Sequence, residues 1–593
     1  MQEYSRLFDI LYFQQKKFPK KDALNYKYDG EWRSFSTSEC LDYINKASRA
    51  FLEIGLKSGD AVAIISANRP EWNFIDNGMM QVGIINVPIY PTISESDYKY
   101  IFNDAKVKIA FVEDEDLAEK MSHIKNDVPS LQHIFTFDTV PNQSNWEVFL
   151  EYGKKNEVQA DVENIKADIK ETDLATLIYT SGTTGIPKGV MLSHKNIVSN
   201  VEATLLCLPI NENHRTISFL PLCHIFERMV IYTYFAAGSS IYYAENLEKV
   251  GENIKEVKPH FFSSVPRLLE KVYEKIMAKG YELSGIKKKL FFWSVGLGLE
   301  YEIGGKGSWY NFKLAIANKL IFNKWREALG GELIGIATGA AALQERLGRL
   351  FSAAGIKVRE GYGQTETSPV LTFNRFDSDD DVRFGTVGVP IPGVEIKIGE
   401  NNEILAKGPN IMMGYYDKPE ETKATIDSDG WLHTGDCGVW VDNKFLKITG
   451  RVKALFKTSG GKYVAPEVIE NKMVESEFIE QICVIGENRK FVSALIVPAF
   501  INLSEWCTKN AVSADNNDEL INTPEVKKLY RDILDEMNKH FGQVEQVKKF
   551  KLITKEWSVE SGELTPTMKV KRNVIMEKFS TDIEELYDND LLS

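Results

Sequence analysis

The stretch IYTSGTTGIPKGVMLSH, residues 178–194, concentrates hydroxyls, glycines and one cation. Thr180, Ser181, Thr183 and Thr184 supply hydroxyls, Gly182, Gly185 and Gly189 free the backbone, and Lys188 adds an ammonium. Such residues suit an anion. Glycines let amide N–H groups converge into a concave nest, which the hydroxyls and the lysine complete. The common phosphate loop is spelled G-x-x-x-x-G-K-[ST]. Here Gly185 follows Gly182 by three and Gly189 directly follows Lys188, so the spelling excludes that loop. An ATP-hydrolysing motor or kinase of that type is thereby opposed. A plain glycine hairpin between strands is the bland alternative, and the density of donors argues against it.

The chain that must position this loop has 593 residues, too many for one hydrophobic core, so two or more domains are expected. Hydrophobic residues make up 43% and charged residues 26%, the balance of a folded protein rather than a disordered one. A formal charge of −13 argues against a nucleic-acid partner, which needs basic surface to displace counterions. Six scattered cysteines without a C-x-x-C pair read as reduced thiols, and no histidine spacing suggests a transition metal. Neither a signal peptide nor an 18-residue apolar run is present, so a cytoplasmic protein is expected.

Short β-branched runs alternate with helical stretches at DAVAII, IINVPIY, KIAFVED, ATLIYTSG, HRTISFLPL, GSSIYYAE and GELIGIATGAA. That rhythm is that of a parallel sheet with crossover helices, and two layered α/β units of 150–200 residues each would fit it. From Phe384 to Lys453 strand and turn signals dominate, as in GTVGVPIPGVEIKI and NEILAKGPNIMMGYY, which points to a β-rich subdomain. The last 140 residues or so mix strands and helices and form a small α+β domain on this reading. The fold class expected is therefore α/β: a large N-terminal domain of two layered α/β subdomains plus a β-rich subdomain, and a small α+β C-terminal domain.

YTSGTTGIPKG resembles the phosphate loop of the adenylate-forming superfamily, which includes acyl-CoA synthetases, luciferases and peptide-synthetase adenylation domains. Other motifs agree in order: EGYGQTETSP (Glu360–Pro369), HTGDCG (His433–Gly438), ITGRVKALFKTSGGKYVAPEVIE (Ile448–Glu470) and GELTPTMKVKR (Gly562–Arg572). The likeness spans about Asp22 to Arg572, and the spelling, NKWREALGG at Asn323–Gly331 included, is nearest to bacterial long-chain fatty-acid CoA ligases. It implies an adenylation domain over residues 1–450, a mobile domain over 451–593 and a hinge at Lys453. The implied reaction joins a long-chain fatty acid to coenzyme A through an acyl adenylate, releasing AMP and pyrophosphate. A ligase for medium-chain, aryl or other acids, or a non-CoA acyl-adenylating enzyme, remains the alternative. A free-standing enzyme is expected rather than a module feeding a carrier domain.

By that resemblance ATP, Mg²⁺ and coenzyme A are the implied ligands, and the needed groups are cations and donors rather than a nucleophile. Thr180, Ser181, Gly182, Thr183, Thr184, Gly185 and Lys188 would hold the β- and γ-phosphates. Glu366, aided by Thr184, would be the Mg²⁺ ligand, since a hard cation takes carboxylate oxygen plus phosphate. Tyr362 would stack on adenine between Gly361 and Gly363, beside Gln364 and Thr365. Gly339, Ala340 and Ala341 would line the same site through their backbone. Asp436 would accept the ribose hydroxyls, Ile448 would lie nearby, and Arg451 would meet ribose or α-phosphate. Lys569 would be the principal catalytic cation, three residues before Arg572, although Met568 replaces the usual glycine and Lys571 competes for the role. Ala454, after Lys453, departs from the usual acidic residue. Ser459, Gly460, Gly461 and Lys462 would face coenzyme A, whose phosphate Lys462 could neutralise.

His224, in PLCHIFERMV, corresponds to the segment that borders the acyl pocket, where it would gate or orient the carboxylate; a packed core histidine is the alternative. Residues 287–325 are aromatic, apolar and basic together. Such a surface could make peripheral contact with the inner face of a membrane, but helices packed on the domain's own core would look the same.

Overall fold

The computed structural model describes residues 3–154, 158–181, 186–452, 455–558, 561–565 and 570–588. Two compact units result. The first contains residues 1–397, 405–434 and 440–447; the second contains 398–404, 435–439 and 448–593.

The first unit is built on two large sheets. One has eight strands in the order Gly414–Tyr415, Pro187–Ser193, Leu174–Ser181, Ile85–Pro88, Ala61–Ile65, Val107–Val112, His133–Thr136 and Ser144–Asn145. From Leu174–Ser181 to the last of these all neighbours run parallel. Ala61–Ile65 (AVAII) is buried at every position, as a central parallel strand covered on both faces must be. The other sheet has nine strands in the order Val389–Pro390, Val370–Phe373, Val358–Gly363, Gly335–Thr338, Phe261–Ser264, Arg215–Ser218, Ser240–Tyr243, Leu24–Tyr28 and Glu31–Phe35. These are the mixed α/β layers expected from the alternating rhythm.

The chain does not fill the two sheets one after the other. Leu24–Tyr28 and Glu31–Phe35 pair as a hairpin and add to the later sheet, Leu24 lying against Ile241. The turn between them is Asp29-Gly30, both with positive φ (50° and 81°), which matches the twist of a two-residue hairpin. The β-rich stretch after Phe384 is likewise dispersed. Val389–Pro390 joins the nine-stranded sheet and Gly414–Tyr415 the eight-stranded one. A separate four-stranded sheet has the order Glu395–Ile398, Glu403–Lys407, Leu432–Val441 and Phe445–Arg451.

The helix Pro70–Met80 is buried along its whole length. Its Asp76 accepts from Arg228 Nη2 (2.6 Å), Tyr232 Oη (2.6 Å) and Asn86 Nδ2 (2.6 Å). Arg228 and Tyr232 lie on the helix Ile225–Ala237, so a buried ion pair sets how these two helices meet.

The second unit centres on a three-stranded sheet, Ile479–Ile485, Val492–Pro498 and Val547–Leu552, the first pair antiparallel and the second parallel. The side chains alternate between two cores. Ile482, Val484, Ala494 and Ile496 face one with helix Pro524–Asn538, and Cys483, Ile485, Leu495 and Val497 face the other with Trp557, Ile575 and Ile583. Among the described residues, no helix is long and apolar enough to cross a membrane.

Candidate active site

The described residues of the opening motif form the two strands of a hairpin. Leu174–Ser181 pairs antiparallel with Pro187–Ser193, Thr180 opposite Lys188 and Ser181 opposite Pro187. Gly182, Thr183, Thr184 and Gly185 lie outside the described residues. Hairpin and anion loop were rival readings of one stretch; both strands of a hairpin are present, and the donor-rich stretch joins them. Gly189 lies opposite Tyr179, where a Cβ would come 3.1 Å from the ring carbon Cζ.

The first unit brings Lys188 and Glu366 to one side chain that sequence reasoning did not single out, Tyr415. Its hydroxyl donates to Glu366 Oε1 (2.9 Å), and the Lys188 ammonium lies 5.2 Å from its ring centroid. The backbone supports this grouping. Gly414–Tyr415 pairs with the second strand of the hairpin, Tyr416 N donates to Gly189 O (2.8 Å) and Met412 N donates to Glu366 O (2.9 Å). Burial and the Glu366 carboxylate both push the Tyr415 phenol upward in pKa, so it stays a donor at neutral pH. The available signal was the G-Y-Y that ends NIMMGYY, which registered only as part of a strand.

Gly361, Tyr362 and Gly363 end the strand Val358–Gly363, which pairs antiparallel with Val370–Phe373. A Cβ on Gly363 would sit 1.8 Å from Pro369 O, and one on Gly361 would sit 2.7 Å from Phe373 Cδ2. These glycines are thus required by the returning strand itself. Gln364 Nε2 donates to Thr434 O (2.9 Å), tying the second motif to the threonine of T-G-D. Thr365, Glu366 and Thr367 form one turn of 3₁₀ helix. Thr365 is buried and Glu366 half-buried.

Gly339, Ala340 and Ala341 follow the neighbouring strand Gly335–Thr338, and Gly339 packs close enough that a Cβ would lie 3.3 Å from Gly361 O. Ala340 holds a left-handed φ of 67°, a conformation costing on the order of 1 kcal/mol for a non-glycine residue. Leu343 N, just beyond, donates to Glu360 Oε1 (2.9 Å). Burial raises the Glu360 carboxyl to about 8, so it is held neutral.

His224 caps the helix Ile225–Ala237, its Nδ1 accepting from Phe226 N (3.1 Å). The Phe226 ring is a near neighbour of Gly339, 3.9 Å from where its Cβ would be. The proposed acyl segment and the Gly339 loop therefore share a border. One turn on, Glu227 is fully buried and accepts from Ser218 Oγ and Ser263 Oγ (both 2.5 Å), and burial lifts its carboxyl to about 7.

The remaining expected site residues fall in the second unit. Asp436, buried, pairs with Arg451 Nε (2.9 Å), at the end of the strand Phe445–Arg451 that also carries Ile448. Asp436 was expected to accept ribose hydroxyls and Arg451 to meet ribose or α-phosphate; the two side chains also engage each other. Ser459, Gly460, Gly461 and Lys462 form the exposed tip of a hairpin between Phe456–Lys457 and Tyr463–Val464, with Gly461 at φ 74°. Lys453, Ala454, Met568 and Lys569 lie outside the described residues. On either side of these last two, Leu564 bridges Val570 and Lys571 N donates to Glu563 O (2.7 Å). Arg572 Nη2 grips both Glu470 oxygens (2.7 and 2.9 Å), and its Nη1 donates to Val484 O (2.5 Å).

Among the described residues, no three acidic, histidine or cysteine side chains gather as a metal site. Glu366 alone suits a Mg²⁺ that arrives on a nucleotide, whose phosphates supply most ligands, rather than a resident ion in a protein cage.

The residues of this site come from two stretches that two family models cover. The model described as AMP-binding enzyme matches residues 11–416, and that described as AMP-binding enzyme C-terminal domain matches 454–591. The chain belongs to the AMP-binding enzyme family. It is 32% identical over 575 residues to the long-chain-fatty-acid–CoA ligase FadD15 of Mycobacterium bovis, covering 95% of this chain and 94% of that one. It is also 32% identical to the long-chain-fatty-acid–CoA ligase 1 of Homo sapiens, covering 94% and 82%. Among solved structures, the adenylation domain of a carboxylate reductase from Mycobacterium chelonae superposes with a TM-score of 0.76 at 21% identity, over 98% of this chain and 91% of that one. ATP-bound MatB from Rhodopseudomonas palustris does so with a TM-score of 0.69 at 21% identity, over 97% and 99%. These two likenesses concern the fold.

Proposed function

We propose that this chain ligates a long-chain fatty acid to coenzyme A at the expense of ATP. The observation that carries the reading is the 32% identity to long-chain-fatty-acid–CoA ligases over nearly the whole chain. The grouping of Lys188, Tyr415 and Glu366 supports it, because it sets a cation and a hard-metal carboxylate beside one loop. In the first half-reaction a fatty-acid carboxylate oxygen attacks the α-phosphorus of ATP, and the bond to pyrophosphate breaks. In the second, the coenzyme A thiolate attacks the acyl carbon and AMP leaves.

The side chains position and neutralise in this scheme. Thr180 and Lys188, with 182–185, hold the β- and γ-phosphates that depart together. Glu366 holds Mg²⁺, which when bound neutralises phosphate charge. Tyr362 and the Gly339–Ala341 backbone flank adenine, and Asp436 and Arg451 act at ribose. Lys569 bridges the incoming carboxylate and the α-phosphate, and the Ser459–Lys462 tip serves coenzyme A. The second unit thus offers a different surface to each half-reaction, with Lys453 as the hinge. Incubating the protein with Mg-ATP and a series from acetate to oleate tests the whole reading. AMP should form best with long chains and acyl-CoA should appear on adding coenzyme A; no AMP with any carboxylate would end it.

A second property concerns where the acid is met. Helices Gly285–Leu299 and Ser308–Ala317 bury Phe291, Val295 and Tyr310 in the core but leave Ile286, Trp309 and Phe312 84%, 70% and 57% exposed. Both alternatives for residues 287–325 are therefore supported, on opposite faces. Lys287, Lys289 and Lys313 accompany the exposed rings, a mixture suited to the surface of an anionic bilayer. Trp309→Ser with Phe312→Ser should weaken co-sedimentation with anionic vesicles several-fold; unchanged co-sedimentation would remove this face from consideration.

A further inference from the structure

Tyr415 touches both groups on which the proposed nucleotide site depends, and it does so with two different parts of its side chain. The hydroxyl donates to Glu366 Oε1 at 2.9 Å, while the Lys188 ammonium stands 5.2 Å from the ring centroid. The residue is 9% exposed, and its own position is set from several sides. Its amide donates to Thr422 Oγ1 (2.9 Å), its strand pairs with the hairpin at Val190, and the flanking amides of Met412 and Tyr416 reach Glu366 O and Gly189 O. A phenol anchored in this way has little freedom to follow its neighbours; they must conform to it.

Each contact has a chemical consequence. A hydrogen bond at one carboxylate oxygen selects the rotamer of Glu366 and leaves its negative charge in place, so a divalent cation meets a ligand already oriented. A ring face beneath an ammonium attracts it without neutralising it as a carboxylate would, so Lys188 keeps its charge for an incoming polyphosphate. We propose that Tyr415 is a positioning residue that holds the Glu366 carboxylate and the Lys188 ammonium at a set separation, so that a metal-bearing nucleotide meets both in place. The inference rests on the adenylate-forming reading of the site and assigns no chemistry to the phenol.

The two contacts can be separated by substitution. Tyr415→Phe removes the hydroxyl and keeps the ring; Tyr415→Leu removes both. The probe is Mn²⁺ with a non-hydrolysable ATP analogue, followed by the loss of the free-ion electron paramagnetic resonance signal on the full chain. Tyr415→Phe should weaken Mn²⁺ binding about three- to tenfold, the net worth of a typical hydrogen bond. It should leave the KM for ATP at saturating Mg²⁺ within about twofold, and Tyr415→Leu should raise that KM a further threefold or so. A purely structural role would lower the unfolding midpoint and degrade both readouts together. In a Glu366→Gln background, Tyr415→Phe should have no further effect on Mn²⁺ binding. Wild-type Mn²⁺ affinity in Tyr415→Phe, or additive losses in the double variant, would overturn the inference while leaving the ligase reading intact. If the wild type releases no AMP with any carboxylate, the ligase reading falls instead, and the Mn²⁺ titrations still decide the role of Tyr415.

Discussion

In the first unit Lys188 stands half-buried over the Tyr415 ring, and among the described residues no carboxylate lies at ion-pair distance from it. In the second, Arg572 closes a bidentate pair with Glu470 and adds a bond to the Val484 carbonyl. Both cations sit in motifs that promise phosphate chemistry. Of the two, only Arg572 is paired with a carboxylate among the described residues. The geometry therefore separates a cation committed to the fold from one without a carboxylate partner among the described residues, a distinction that motif spelling does not make. It also explains the arginine three residues after Lys569: it fastens the chain to Glu470.

The sharpest way to break this comparison is to pit the two cations of the terminal motif against each other. Lys569→Ala should cost roughly 10²–10³ in adenylation rate and spare conversion of preformed acyl adenylate to thioester. Equal loss in both half-reactions would contradict its assignment. Arg572→Ala should instead leave Glu470 without its partner and lower unfolding stability by about 2–4 kcal/mol, impairing both half-reactions in proportion. An unchanged urea midpoint would show that the pair does not anchor the unit. Next in size, Lys188→Gln should raise the KM for ATP about tenfold with an unaltered thermal midpoint; a lower midpoint would mean that Lys188 also serves the fold.

A pH-dependent effect concerns charge that the fold removes by protonation. Burial raises Glu227 from the usual 4.5 to about 7, against the hydrogen bonds of Ser218 and Ser263. Between those two pH values the folded chain keeps a proton that the unfolded chain has released. Stability contributed by this group is therefore complete below pH 4.5 and declines as pH rises towards 7, by about 1.4 kcal/mol per pH unit. Glu227→Gln should flatten that part of a urea-unfolding profile taken from pH 5 to pH 7. A slope identical to the wild type would show that Glu227 is not the group responsible.

Much of the site is legible as spelling. The anion hairpin, the G-Y-G-Q-T-E turn and the T-G-D strand each announce themselves because glycine and hydroxyl types are constrained by local backbone chemistry. What spelling left out are residues whose role comes from who lies across the fold. Tyr415 is one tyrosine among 24 until strand pairing sets it against Glu366 and Lys188. That Gly361 and Gly363 lie against the strand beginning at Val370 was not legible, because the partner is set by strand pairing. Asp436 and Arg451 were each recognisable, and their pairing was not, since the fourteen intervening residues carry no record of a shared neighbour.

The alternation of strands and helices, the buried runs such as AVAII and the motif order were determined by sequence alone, because side-chain period and backbone preference act over a few residues. Tertiary structure alone decided that the first strand pair, Leu24–Phe35, would complete the later sheet, and that the β-rich stretch would be shared among three sheets. It also decided that Arg572 would be paired with Glu470. Those outcomes depend on contacts between segments up to several hundred residues apart, where Coulomb attraction, burial and hydrogen bonding are settled by proximity in space.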